Sequence, residues 1–351
     1  MPSTSLSEDA VSIGQKVAVL SDGAIYSHCP RSVDVIETHM AWVFLAGGLA
    51  FKMKKPVRYE FLDFTTLSAR EFTCREEVRL NRRLAPDVYL DVVPLRLDRT
   101  GGLTFAGDGP VVEWLVKMRR LPADRMLDYT LEHGSVTLQD VIGVAEKLII
   151  FYRAALPVPQ SLDQVCRRFA AEHDRNIALL SDARFKLEHA RTRVVLRRFL
   201  EALTAARPLL EMRVEAGAFL EGHGDLRPEH VCLITPPVVI DCLEFNRDMR
   251  LVDPFDEVIF LDLECERLGG PWVGKKVLDI CRAELSPAPP PGLLDFYRGA
   301  RALLRARLAL AHLTEPDPRL PEKWEPRART YIALADEALE RFDSAVLGGR
   351  V

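Results

Sequence analysis

The hydrophobic periodicity of this chain changes character once, near residue 120, and that change limits what it can fold into. Before it, apolar residues come in short runs bounded by glycine turns, the pattern of strands. "MAWVFLA", then Gly47-Gly48, then "LAFKMKKPV" reads as a hairpin around a two-glycine turn. "VYLDVVPLRLD", an "RTGG" turn and "LTFAG" read as a second hairpin, and "PVVEWLVKM" as a further strand. One helix lies between the hairpins, in "TLSAREFTCREEVRLNRRLAP". There Ser68 and Glu71 have capping-box spacing, and Pro86 marks the end. Leu67, Cys74 and Val78 share one face of it. Glu77 falls on the flank of that face and Glu76 points nearly opposite, so Glu77 is the carboxylate aimed toward the sheet. The remaining charges of "RLNRRL", with Lys55, read as a solvated face.

After "RRLP" the pattern turns helical. "LQDVIGVAEKLIIFYRAA", "DQVCRRFAAEHDRNIALLSDA" and "TRVVLRRFLEALTAARPLL" each read as one helix by length and period. A strand-like island interrupts them at 231–243, with "VCLI", "TPP" and "VVIDCL". Helices resume with "DEVIFLDLECERL", and "SPAPPPG" (286–292) reads as a connector between helices. The expected fold is therefore α+β. It has a small antiparallel-sheet lobe with one helix over residues 1–118, and a larger, mostly helical lobe over 119–351. At 351 residues the chain has room for two such lobes, each with its own core.

Composition excludes several function classes. The net charge of −4 gives no basic field for nucleic acid or an anionic membrane surface. Apolar stretches such as "AWVFLAGGLAF" are too short to cross a bilayer. The start, "MPSTSLSEDA", is polar and acidic and does not read as a secretory signal. The 7 cysteines include no C-x-x-C pair, and their odd number argues against a disulfide framework, so a reduced, cytoplasmic setting is expected. "GGPWVGKK" (269–276) fits a phosphate-loop spacing, but Lys276 replaces the hydroxyl residue and a helical segment precedes it. It reads as a helix–helix connection. No G-x-S-x-G or H-E-x-x-H motif is present.

The chemistry concentrates around the island, in "GHGDLRPEHV" (222–231) followed by "VVID". Phosphoryl transfer from ATP needs an oriented acceptor hydroxyl that loses a proton, and a metal that neutralises the phosphates. Asp225 would be the base and orienter, Asp241 at a strand end would bind metal, and Arg227 would reach the transferred phosphate as a fixed cation.

This loop resembles the catalytic loop of aminoglycoside phosphotransferases, H-G-D-L-H-x-x-N, and the protein-kinase pattern H-R-D-L-K-P-E-N. "IDCLEFN" resembles the metal-binding aspartate segment that follows in those proteins. "LVDPFDEVIFL" is similar to their D-P-x-x-D-L-A stretch, with Asp253 at the first aspartate and Glu257 at the second. Motifs such as "ETHMAWVFL", "LDFTTLSARE", "EVRLNRRLAPDVYL" and "LVKMRRLP" resemble an uncharacterised bacterial subgroup of that family. The resemblance covers roughly residues 15–270. Some of that subgroup carry a further C-terminal ATPase domain, for which 351 residues leave no room.

The resemblance implies a two-lobed protein-kinase-like fold and a small-molecule kinase that uses ATP and Mg²⁺, or Mn²⁺, on a hydroxyl substrate. It implies that Lys52, selected by A-x-K spacing, grips the phosphates and is held by Glu77, with Lys54 the fallback. It also implies adenine contacts near Met118. His223 is expected to hold the backbone around Asp225, and Asp253 to brace the loop or line the substrate site. His230 stands where such loops carry asparagine. It is read as a metal or phosphate ligand, or as displaced from the metal by Glu244 or Glu229, or as the mark of a lost second metal site. The last reading gives the alternative function, a pseudokinase that senses nucleotide or acts as a scaffold. Transfer of AMP is a further possibility on the same fold.

Overall fold

The structure is a computed structural model, which describes residues 11–59, 61–315 and 318–347. The polar start read as non-secretory falls, but for its continuation at Val11, outside the described residues. The chain divides into two compact units: Met1–Tyr129 with Glu229–Met249, and Thr130–Pro228 with Arg250–Val351.

The first unit opens with helix α1 (Ile13–Leu20), capped by Ser12 and Gln15 in a reciprocal box. Strands β1 (Val33–Glu37), β2 (Ala41–Ala46) and β3 (Leu49–Lys54) follow, then a two-residue hairpin of β4 (Arg58–Tyr59) and β5 (Leu62–Asp63). Helix α2 (Leu67–Asn81) precedes β6 (Tyr89–Leu97), β7 (Leu103–Thr104) and β8 (Val111–Arg119). Six of the strands form one antiparallel sheet in the order β1-β2-β3-β8-β6-β7. Gly47, with φ of 59°, makes the expected turn between β2 and β3. The strand β1 was not expected: four of its five residues, "VDVIE", are exposed, so it carries no core alternation to read.

The pleat of β3 sorts its side chains. Phe51 and Met53 enter a core with Leu20, Tyr26, Phe44, Leu95 and Leu115. Lys52 lies opposite Val116 of β8, and Val116 packs with Cys74 and Val78 of α2 on the other face. Ala50, Lys52 and Lys54 therefore look toward α2.

Helix α2 starts two residues earlier than the capping-box reading. Thr66 is its N-cap, accepting from the Ala69 N–H at 3.2 Å, and Glu71 pairs with Arg75 instead. Its sheet-facing stripe is polar: Arg70, Thr73, Glu77 and Asn81 are all buried. Of the charges of "RLNRRL", Arg79 and Arg82 are exposed, as expected, and Arg83 is half-buried. Asn81 is fully enclosed, while Arg82 and Arg83 donate to the carbonyls of Tyr89 and Leu80. Lys55 likewise pairs with Glu37 at 2.5 Å and lies over the Trp42 ring.

Glu113 of β8, wholly buried, accepts from Lys16 of α1 at 2.9 Å and from Arg70 of α2 at 2.7 Å. This triad ties two helices to one strand. Removing one member leaves the others buried without full compensation. Arg70→Met should destabilise the protein by about 3 kcal/mol, read from urea unfolding. A loss below about 1 kcal/mol would show that the triad is not what holds α2 to the sheet.

A two-residue ladder, Val231–Cys232 with Val238–Val239, forms in the expected island. Helix α3 (Leu127–Glu132) is followed by α4 (Leu138–Ala154) and α5 (Leu162–Leu180). The segment "TRVVLRRFLEALTAARPLL", expected as one helix, is two, α6 (His189–Ala205) and α7 (Arg207–Glu215). Pro208 sits in the first turn of α7, where its missing N–H leaves no helical bond unmade. Next come α8 (Pro254–Arg267), α9 (Pro271–Glu284), α10 (Leu293–Ala311) and α11 (Trp324–Leu347). Gly269 and Gly270 link α8 to α9, in line with the helix–helix reading of "GGPWVGKK", whose residues from Pro271 on open α9. In the second unit α10 packs against α5, α8 and α11. Phe169, Phe199, Phe296 and Phe342 meet at their centre with ring centroids about 5–6 Å apart. Among the described residues no helix is long and apolar enough to cross a membrane.

Candidate functional site

The first unit holds a buried charge cluster built on β3, α2 and the segment after Val239. Lys52 donates to Glu77 Oε1 at 2.9 Å and to Asp241 Oδ1 at 2.7 Å. Lys54, one pleat along, donates to Glu77 Oε2 at 2.6 Å and pairs with Glu244. One helix carboxylate thus spans both lysines. Burial works against the charge on Lys52, but Asp241 and then Glu77 raise its proton affinity well above the usual lysine range. Burial pushes the Glu77 carboxyl up, and Lys52 and Lys54 outweigh it, leaving the group below its ordinary value. Glu244 goes the other way, raised by burial beyond what Lys54 restores. Three carboxylates face two ammonium groups and the His230 imidazole.

Asp241 has φ of 62°, a left-handed conformation uncommon for a residue other than glycine. Two contacts hold it there: its N–H donates to the Tyr89 hydroxyl oxygen at 3.0 Å, and the Cys242 N–H donates to Asn81 Oδ1 at 2.9 Å. Asn81 also donates to the Glu77 carbonyl at 2.9 Å, so one amide links the helix to the aspartate segment. His230 Nε2 lies 3.6 Å from Asp241 Oδ2. The Asp241 side chain keeps 42% exposure, in contrast to 0% for Glu77. Burial opposes its ionisation, but Lys52 and then His230 hold it well below the usual carboxylate range.

The second unit holds the loop before Pro228. Gly224 has φ of 90°, and a Cβ on Gly222 would fall 2.6 Å from a Glu257 oxygen. Glu257 of α8 accepts from the N–H of His223 at 3.1 Å and of Gly224 at 2.5 Å, and from the Tyr152 hydroxyl at 3.0 Å. Burial raises its carboxyl above the ordinary value against those bonds. His223, fully buried, accepts the Asp225 N–H on Nδ1 at 3.2 Å. Arg227 donates from Nε and Nη2 to the two oxygens of Asp225, both at 2.9 Å. Asp253 caps α8 through the Phe255 N–H and is gripped by Arg213 at 2.6 and 3.0 Å and by Tyr297 at 3.1 Å.

No family model matches this chain. Uncharacterized proteins of Mycobacterium tuberculosis and Mycobacterium bovis are 31% identical to it over 297 residues, which is 82% of this chain and 56% of theirs. The chain thus spans about half the length of the curated relatives it matches. A choline/ethanolamine kinase family protein from Mesorhizobium loti superposes with a TM-score of 0.54 at 16% identity, over 95% of this chain and 99% of that one. A choline kinase from Cryptosporidium parvum gives 0.52 at 10% identity, over 91% and 90%. This chain has the protein-kinase-like fold. At these identities the likeness is one of fold, and it bears out the expected α+β, kinase-like architecture.

Within the kinase-like chain, Lys52, Lys54, Glu77, His230, Asp241 and Glu244 come together in the first unit. His223, Asp225 and Arg227 form a cluster of their own in the second. Met118 lies near the end of β8, opposite Ala50 and Tyr89. The next two amides are engaged, Arg119 N–H with Val88 and Arg120 N–H with Gly48. Sequence reasoning missed Asn81, Tyr89, Tyr152 and Arg213. Only Asn81 carried a signal, since it stands four residues after Glu77 on the same helix face.

The donor set of the first unit fits a hard divalent cation. Asp241 offers part-exposed carboxylate oxygens on a fixed backbone. Glu244 is engaged by Lys54, so oxygen donors beyond Asp241 are few, and the nearest nitrogen donor is His230.

Proposed function

We propose that this protein is an ATP-dependent phosphotransferase that moves the γ-phosphate to a hydroxyl of a small molecule. The observation that carries this is Lys52, bonded at once to Glu77 and to Asp241. A lysine braced this way is a fixed cation for the α- and β-phosphates of a nucleotide. Glu77 shared by two lysines keeps each ammonium aimed without rotamer freedom. Adenine is assigned to the backbone near Met118.

Asp225 orients the acceptor hydroxyl and takes its proton. His223 and Glu257 hold the loop backbone, so the carboxylate needs no reorganisation as charge develops. Arg227 occupies both Asp225 oxygens, and an incoming hydroxyl exchanges one of those bonds. The freed guanidinium edge then faces the transferred phosphoryl group. Asp241 and His230 hold the metal, Mg²⁺ or Mn²⁺. When bound, it neutralises phosphate charge. Glu244 serves Lys54 in this reading and is a reserve metal ligand.

Imidazole is a poorer donor than an amide oxygen for Mg²⁺ and a better one for Mn²⁺. His230→Asn should therefore shift the ratio of turnover in Mg²⁺ to that in Mn²⁺ toward Mg²⁺ by about tenfold. An unchanged ratio would remove His230 from the metal.

The reaction type is tested by mass spectrometry of products formed from ATP and a pool of small hydroxyl compounds. Phosphoryl transfer adds one phosphate to the acceptor and leaves ADP. An adenylyl increment would mean AMP transfer instead. Tight nucleotide binding with no product in either metal would mean a pseudokinase.

A further inference from the structure

The carboxylates of α8 were the natural candidates for a cation-binding acceptor pocket, and arginines take nearly all of them. Asp256 is bonded through both oxygens by Arg301 at 2.7 and 2.8 Å. Asp262 and Glu266 share Arg298. Glu264, fully buried, accepts from Arg267 and Arg305 at 2.8 Å each and from the Tyr331 hydroxyl at 2.6 Å. A helix that could have presented an acidic surface is neutralised along its length.

Around Glu264 guanidinium groups gather. Both Arg267 and Arg305 stack on the Tyr331 ring, at 5.9 and 5.6 Å. Arg327 of α11 joins them, half-buried, with its guanidinium 5.4 Å from the Trp324 ring centre. Among the described residues Arg327 has no carboxylate within ion-pair distance. Arg267, Arg305 and Arg327 thus gather on one side of α8, two of them bonded to Glu264. Burial first, and then Arg267, push the Arg327 guanidinium below its ordinary value.

The cluster belongs to the neighbourhood of Asp225. Glu257 grips the His223 and Gly224 amides, and Glu264 lies seven residues further along α8 on the same face. Two helical turns separate them, about 10 Å. The Asp225 carboxylate also raises the proton affinity of both Arg301 and Arg305, so its field reaches this side of α8.

We infer that the acceptor served by Asp225 is anionic: a hydroxylated small molecule that carries a carboxylate or a phosphate, held by Arg267, Arg305 and Arg327. Guanidinium forks match both groups bidentately. Cationic acceptors are disfavoured by the same charges. The inference rests on the phosphotransfer reading for the word acceptor, but the anion site can be tested without turnover.

The probes are inorganic phosphate and malonate, titrated calorimetrically into the full chain with ADP and Mg²⁺ present. Wild type should bind one or both, and Arg327→Gln should weaken that binding by about tenfold or more. Arg327→Lys, which keeps the charge, should stay within about threefold of wild type. Tighter phosphate binding points to a phosphorylated polyol, and tighter malonate binding to a hydroxy acid. Because Arg327 has no acid partner, its replacement strands no buried carboxylate, and circular dichroism checks the fold of each variant. If neither anion binds wild type, or if both bind Arg327→Gln equally well, the anionic acceptor is overturned. Phosphoryl transfer lost in Asp225→Asn would then still stand. Anion binding that depends on Arg327 in a protein without transfer would instead refute the phosphotransfer reading alone.

Discussion

Asp225→Asn is expected to lower phosphoryl transfer by about two to four orders of magnitude, the usual contribution of a positioned general base. The substitution is nearly isosteric. Asn retains one carbonyl oxygen for Arg227, and the bonds that shape the loop run from backbone groups to His223 and Glu257. The loop therefore keeps its form while the proton acceptor is lost. ATP affinity should stay within about threefold, because an interaction made only in the transition state leaves ground-state binding alone. Transfer reduced less than about tenfold would mean that Asp225 orients without accepting a proton.

Lys52→Met should be nearly as severe, by a different route. It removes the cation shared by Glu77 and Asp241, and turnover should fall by about two orders of magnitude, as when one preorganised donor is deleted. ATP affinity should fall as well, which separates this variant from Asp225→Asn. Lys54 cannot take over, since Glu77 and Glu244 already hold it on the same face.

The same variant changes the dependence of stability on pH. Glu77 is held below its ordinary value of 4.5 by Lys52 and Lys54 against the effect of burial. A depressed carboxyl contributes stability that is complete above its unfolded value and is lost as pH falls through the folded one. Lys52, raised above 10.5, contributes stability that is complete below that value and is lost as pH rises through its folded value. Between these limits wild type should be near its plateau with respect to this pair. In Lys52→Met, Glu77 loses one cation, so acid destabilisation should begin at higher pH. Urea midpoints at pH 7 and pH 4 check this. A wild type and variant that lose stability in parallel would show that Lys54 alone sets the state of Glu77.

Much of the site was legible because its first elements obey local periodicities. Period two put Lys52 and Lys54 on one face of a strand, and the 3.6-residue repeat turned Glu77 toward it. The loop from Gly222 announced itself by composition. What was not legible depends on distant partners. Tyr89 meets Asp241 across 152 residues, and Asn81 meets Cys242 across 161. Neither pairing leaves a mark in its own neighbourhood. The strand "VDVIE" escaped because an exposed edge has no buried face to pattern it. Arg70 and Glu113 stand 43 residues apart, and only the fold encloses them together. The α10 arginines that neutralise α8 stand 32 to 45 residues from their partners, and Tyr331 of α11 reaches Glu264 across 67. Only tertiary structure could turn an apparently acidic helix into a basic site.

The most direct measurement is ADP release by wild type and Asp225→Asn with ATP and Mg²⁺, with and without a small-molecule extract as the source of acceptor. A phosphotransferase releases ADP in wild type, faster when extract is added, and Asp225→Asn loses that increment. ATP binding without extract-dependent release in wild type, in Mg²⁺ or Mn²⁺, would contradict phosphoryl transfer to a small molecule, as would an increment that Asp225→Asn retains.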